Sequence, residues 1–100
     1  MRHLTLNCAG IADKAGLHDA LSAVLSLPDY YGRNLDALFD CLTDLREDLC
    51  LTVEALPVLQ DRLGGYAEGL LQVLHDSSLR NPHLVILLAE PSPAERSLKK

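Results

Sequence analysis

The chain has 100 residues, 48% of them hydrophobic and 23% charged, and a formal charge of −5. That length suits one domain with a real core, and the composition excludes an intrinsically disordered chain. The tail PSPAERSLKK carries +2, so residues 1–90 carry −7, a surface that repels a phosphate backbone or an anionic membrane and attracts a basic partner.

Three cysteines, Cys8, Cys41 and Cys50, form no C-x-x-C pair, which suits reduced thiols in a cytosolic protein better than a disulfide framework. The N-terminal stretch MRHLTLNCAGIADKAG has no apolar segment of signal-peptide length, and no run of 18 apolar residues occurs anywhere. The expected location is therefore the cytoplasm.

In chain order, His3–Cys8 alternates polar and apolar and reads as a strand. Asp13 can cap a helix whose apolar positions Leu17, Ala20, Leu21, Val24 and Leu25 recur at helical spacing, and Pro28 is expected to end it. Asp29–Arg33 reads as a loop hinged at Gly32, and Asn34 as the cap of a second helix running to about Leu45. Leu49–Glu54 is nearly continuous in apolar residues, as a strand buried on both faces would be. Pro57 suits the first turn of a short helix to about Arg62, which Gly64-Gly65 breaks. A further helix is expected over Tyr66 to about Asp76, with Ala67, Leu70, Leu71, Val73 and Leu74 facing the core. Asn81-Pro82 stops it, and His83–Ala89 is the clearest strand of the chain. This alternation predicts an α/β fold: a three-stranded parallel sheet packed by about four helices, with right-handed crossovers. The domain should span residues 1–90, with residues 91–100 a disordered tail.

Most catalytic patterns are missing. Gly64, Gly65 and Gly69 make neither a dinucleotide fingerprint nor a phosphate-binding loop. His3, His18, His75 and His83 have no metal-ligand spacing and read as surface or packed histidines. Cys41 falls on the apolar side of its helix, as a small core residue rather than a nucleophile.

The second helix is less ordinary. Asp36, Asp40 and Asp44 follow one another four residues apart, a spacing that costs about 0.2–0.5 kcal/mol per like-charged pair. At 100° per residue, Asp36, Phe39, Asp40, Thr43 and Asp44 share an arc of roughly 140°, opposite Leu38, Cys41, Leu42 and Leu45. A solvated helix face accounts for the charges but not for Phe39, nor for Tyr30 and Tyr31 beside the helix start. Aromatic anchors ringed by charge typify protein-binding surfaces. Asp36 suits the helix N-terminus, whereas Asp40, between two like charges, is the residue least explained by stability. An acid–base pair of Asp36 and Asp40 is a weaker reading, because nothing apolar but Phe39 is at hand to desolvate it.

The ungapped run Leu27–Thr43, LPDYYGRNLDALFDCLT, resembles the binding loop and helix of the barstar family of bacterial ribonuclease inhibitors. The order of strands and helices agrees over residues 1–90, and Leu71-Gln72-Val73 matches as well. The resemblance implies the barstar-like fold and a non-enzymatic protein that plugs the active site of a small, basic, guanyl-preferring ribonuclease. By position it implies that Asp40 enters the phosphate-binding site, that Asp36 faces the enzyme's basic residues, and that Tyr30 lies against its catalytic histidine. Gly32 would keep the loop close to the enzyme, and Asn34, Leu35, Thr43, Val73 and Asp76 would be further contacts. The chain departs from the family where Phe39 replaces a tryptophan, Asp44-Leu45 a Gly-Trp pair, and Arg33 an acid. Phe39 and Asp44 remain candidates at the same face, and Arg33 is expected to disfavour a basic partner modestly. The resemblance also leaves room for a barstar-like module that binds another basic partner without inhibiting a nuclease. No cofactor or metal is expected, and the free chain should be monomeric.

Overall fold

Strand β1, Arg2–Asn7, leads through a 3-10 turn at Cys8–Gly10 to helix α1, Lys14–Leu25. Helix α2, Leu35–Thr43, precedes strand β2, Leu49–Glu54. Helices α3, Leu56–Leu63, and α4, Gly65–Arg80, then bring the chain to strand β3, Leu84–Ala89. The structure is a computed structural model that describes residues 1–89. The tail expected from Pro91 onward lies outside the described residues. The three strands form a parallel sheet in the order β1-β2-β3, so the expected α/β architecture holds.

Register explains where the core sits. Leu4 pairs with Leu51 and Leu51 with Ile86, while Leu6 pairs with Val53 and Leu49 with Leu84. Side chains alternate across a strand, so these seven residues share one face. Leu6, Leu51 and Val53 are fully buried there, in one cluster with Leu17, Leu21, Leu38, Leu42, Leu59 and Leu70 from the four helices. The central place of β2 accounts for its near-continuous apolar run. Strand β3, although the most apolar in sequence, is an edge strand, with Val85 37%, Leu87 50% and Leu88 52% exposed.

Helix ends depart from the sequence expectation in three places. Asp13 caps α1 as expected, its Oδ1 accepting from Gly16 N at 2.7 Å. The helix stops earlier than Pro28 requires, because Ser26 turns left-handed (φ 53°) and Leu27 N donates back to Ser22 O at 3.1 Å. Helix α2 ends at Thr43 rather than Leu45. There Asn81, itself buried, donates through Nδ2 to Leu42 O at 2.9 Å and to Leu45 O at 3.0 Å. Helix α4 runs one turn past Asp76 to Arg80. The residue that carries its buried stripe onward after Leu70 and Leu74 is Ser77, which a hydrophobic pattern does not register. Between α3 and α4 the chain turns at Gly64 (φ 54°), a conformation that favours glycine.

Candidate protein-binding face

Helix α2 forms despite its ladder of like charges because its other side is deeply buried. Leu38 and Leu42 are both fully buried, each contributing about 1.5–3 kcal/mol, against about 0.2–0.5 kcal/mol for each repelling aspartate pair. Asn34 adds a side-chain cap, its Oδ1 accepting from Ala37 N at 2.8 Å. The burial of one face fixes the other. Asp36, Asp40 and Asp44 are all exposed, and Phe39 and Thr43 are half-buried beside them.

The preceding loop separates two adjacent tyrosines. Tyr30 is 87% exposed, whereas Tyr31 is 7% exposed. Tyr31 turns inward to His18, its hydroxyl 2.6 Å from Nδ1, and the hydroxyl of Tyr66 lies 2.6 Å from Nε2 of the same ring. A neutral imidazole donates at one nitrogen and accepts at the other, so it satisfies both hydroxyls. Burial holds His18 below the ordinary histidine range, helped by the nearby Arg33 and opposed by Asp19. Burial also pushes the Tyr31 hydroxyl up to about 12. The buried side chain of Tyr31 thus directs its neighbour into solvent.

Gly32 is not the hinge that the sequence suggests, since the left-handed residue of this loop is Arg33 (φ 56°). Gly32 serves close packing instead, because a Cβ there would come within 3.3 Å of Ala37 Cβ and 3.4 Å of Asn34 Nδ2. Arg33 does not project over the acidic helix. Its Nη2 lies 2.6 Å from Asp19 Oδ1 and donates to Ala15 O at 3.1 Å, both on α1.

Tyr30, Asp40, Cys41, Thr43 and Asp44 line a shallow groove of about 290 Å³. Cys41 is half-buried: it packs against the core, as its place on the apolar side of α2 predicts, and it also borders the groove. Burial raises its thiol pKa, with the carboxylates of Asp40 and Asp44 adding to the effect, so it stays protonated and gives no support to a nucleophile. Phe39 packs toward α4, with the Arg80 guanidinium carbon 5.6 Å from the ring centre. Leu35 also meets α4, where a Cβ at Gly69 would stand 2.9 Å from Leu35 Cδ1. Val73 and Asp76 sit half-buried on α4, and Asp76 Oδ1 accepts from Gln72 Nε2 at 2.9 Å. Gly32, Asn34, Leu35 and Asp36, like these two, lie outside the groove lining.

Sequence reasoning allowed for a packed His18 but missed its two hydroxyl partners, and it missed the role of Asn81 and the turn of Arg33 toward α1. A signal existed for His18, which lies three residues before Leu21 and seven before Leu25 on the buried stripe of α1. Nothing local marks the other two, because their partners are 36–39 residues away for Asn81 and 14–18 for Arg33. Among the described residues, no three His, Cys, Asp or Glu side chains are grouped to hold a metal ion. Nor is any helix there long and apolar enough to cross a membrane.

A three-stranded parallel sheet under four helices, with an acidic helix and an exposed tyrosine loop on one side, is the architecture expected of a barstar-type inhibitor. The chain belongs to the barstar family, whose model, described as "Barstar (barnase inhibitor)", matches residues 1–88. It is similar to a protein of Bacillus subtilis (strain 168) named "Putative ribonuclease inhibitor YrdF", at 38% identity over 78 residues. That match covers 77% of this chain and 86% of the relative. The family description and the relative's name both denote inhibitors of a ribonuclease.

Proposed function

We propose that this chain inhibits a small, basic, guanyl-preferring ribonuclease by covering its active site with α2 and the Tyr30 loop. The observation that carries this reading is the exposed ladder Asp36, Asp40 and Asp44, on the face of α2 opposite buried Leu38 and Leu42, beside an 87% exposed Tyr30. A site built to bind phosphate presents cations, and a fixed carboxylate with charge-assisted hydrogen bonds is a fitting anionic substitute. In this reading Asp40 is the central plug and Asp36 a second acid. Tyr30 supplies the aromatic contact, and Phe39, Asp44, Thr43, Leu35, Asn34 and Gly32 supply the surround. Val73 and Asp76 form an outlying contact. The chain acts stoichiometrically rather than by turnover, in the cytoplasm, as a monomer when free.

The test is titration of a purified guanyl-specific ribonuclease such as barnase. Activity should fall to zero near one equivalent of inhibitor, with no dependence on added metal. Asp40→Ala should cost about 1.5–3 kcal/mol of binding, roughly a ten- to hundredfold rise in Kd. Unchanged inhibition by Asp40→Ala would remove Asp40 from the centre of the site. Binding of another basic protein, with every such ribonuclease left active, would instead favour a barstar-like module that is not a nuclease inhibitor.

A further inference from the structure

Arg33 is a cation within a strongly acidic segment, and charge alone says that it weakens binding to a basic partner. The geometry points to a different role. Its guanidinium turns away from α2 and is held on α1, by Asp19 Oδ1 at 2.6 Å and by the carbonyl of Ala15 at 3.1 Å. The backbone meets this arrangement in the left-handed region (φ 56°), which an arginine adopts only when its surroundings over-determine it. Asp19 adjoins His18 in the chain, and His18 holds the buried hydroxyl of Tyr31 at 2.6 Å. Two consecutive residues of α1 thus grip two residues of one loop, Tyr31 from inside and Arg33 from outside, and Gly32 lies between them. A third tie closes the loop's own turn, Tyr31 N donating to Pro28 O at 2.9 Å. Among the described residues, Tyr30, next to this doubly anchored stretch, is the one tyrosine or phenylalanine left largely in solvent.

We propose that Arg33 is a positioning residue, which with Asp19 clasps the loop to α1 and holds Tyr30 in its binding position before any partner arrives. Preforming a loop saves the ordering cost on association, so the clasp strengthens binding although its cation carries the unfavourable sign. This deepens the inhibitor reading and rests on it for the identity of the partner. The clasp itself is a property of the free protein.

Because electrostatics and positioning make opposite predictions for one of two variants, they can be separated. If Arg33 acted only as a charge facing a basic partner, Arg33→Ala would tighten binding to barnase and Asp19→Ala would weaken it. The clasp requires both to weaken it, each by about two- to fivefold, the scale of a partly exposed ion pair. The double alanine variant should be no worse than either single one, and the exchanged pair Asp19→Arg with Arg33→Asp should recover most of the loss. Aspartate is suited to the swap because it tolerates the left-handed backbone better than most residues. In the free protein, amide hydrogen exchange at Tyr31 should speed up about two- to fivefold in both single variants, with the amides of β2 unchanged. Opposite signs for the two single variants in binding, or unaltered Tyr31 exchange in both, would overturn the proposal. If the wild-type chain bound no ribonuclease yet Tyr31 exchange responded as stated, the clasp would stand and the inhibitor reading would fall.

Discussion

At the residue scale, the His18–Tyr31 pair links the interior to the candidate binding face and sets a pH window. His18 is held below its ordinary value of 6.5 by burial first and by Arg33 second. The unfolded chain therefore takes up a proton that the folded chain resists, and this contribution to stability is lost as pH falls below about 6.5. Tyr31 behaves in the opposite sense. Its hydroxyl is pushed from 10.0 to about 12 by burial, so its contribution is complete below pH 10 and is lost as pH rises toward 12. The pair predicts a stability plateau between about pH 7 and 9 that declines on both sides. Urea midpoints at pH 5, 7, 9 and 11 would check this, and a His18→Gln variant should flatten the decline between pH 7 and 5. An equally steep decline in that variant would exclude His18 as its source.

At the element scale, α2 is positioned from both ends by asparagine. Asn34 caps its start from within the local sequence. Asn81 closes its end from the α4–β3 junction, donating to two carbonyls and accepting from His83 N at 2.9 Å through Oδ1. Asn81→Ala leaves Leu42 O and Leu45 O without this donor in a buried setting, which should cost about 2–3 kcal/mol of stability. The same change should loosen Thr43 and Asp44 at the groove before it disturbs Asp36. Denaturation midpoints and exchange of the amides around residue 45 would show both effects. The helix was legible in the sequence through its amphipathic pattern and its N-cap, whereas its end was not, because a partner almost forty positions away decides it. The same limit applies to β3, whose apolar run looked like a strand and became an exposed edge once pairing placed β2 in the middle.

At the scale of the whole molecule, the charge of −5 is concentrated where the candidate face lies: Asp29 to Asp48 holds six acids against Arg33 and Arg46. Such a field steers a basic partner and is screened over about 8 Å at physiological salt. The association rate with barnase should therefore fall several-fold between about 50 and 500 mM salt, with a smaller change in dissociation. Stopped-flow mixing across that range would measure it, and a salt-independent association rate would argue against steering by this face.

The sequence by itself determined the α/β class, the three strands and four helices, the acidic face of α2 and its resemblance to the barstar family. Each of these rests on local periodicity, on caps within a few residues or on a contiguous motif. Only the tertiary structure decided that Tyr31 turns inward and Tyr30 outward, that Cys41 borders the groove, and that Asn81 ends α2. It also turned Arg33 from a misplaced charge on the rim into a tether on α1. Those outcomes depend on side chains that meet across the fold, where hydrogen-bond partners distant in sequence decide which way a residue points.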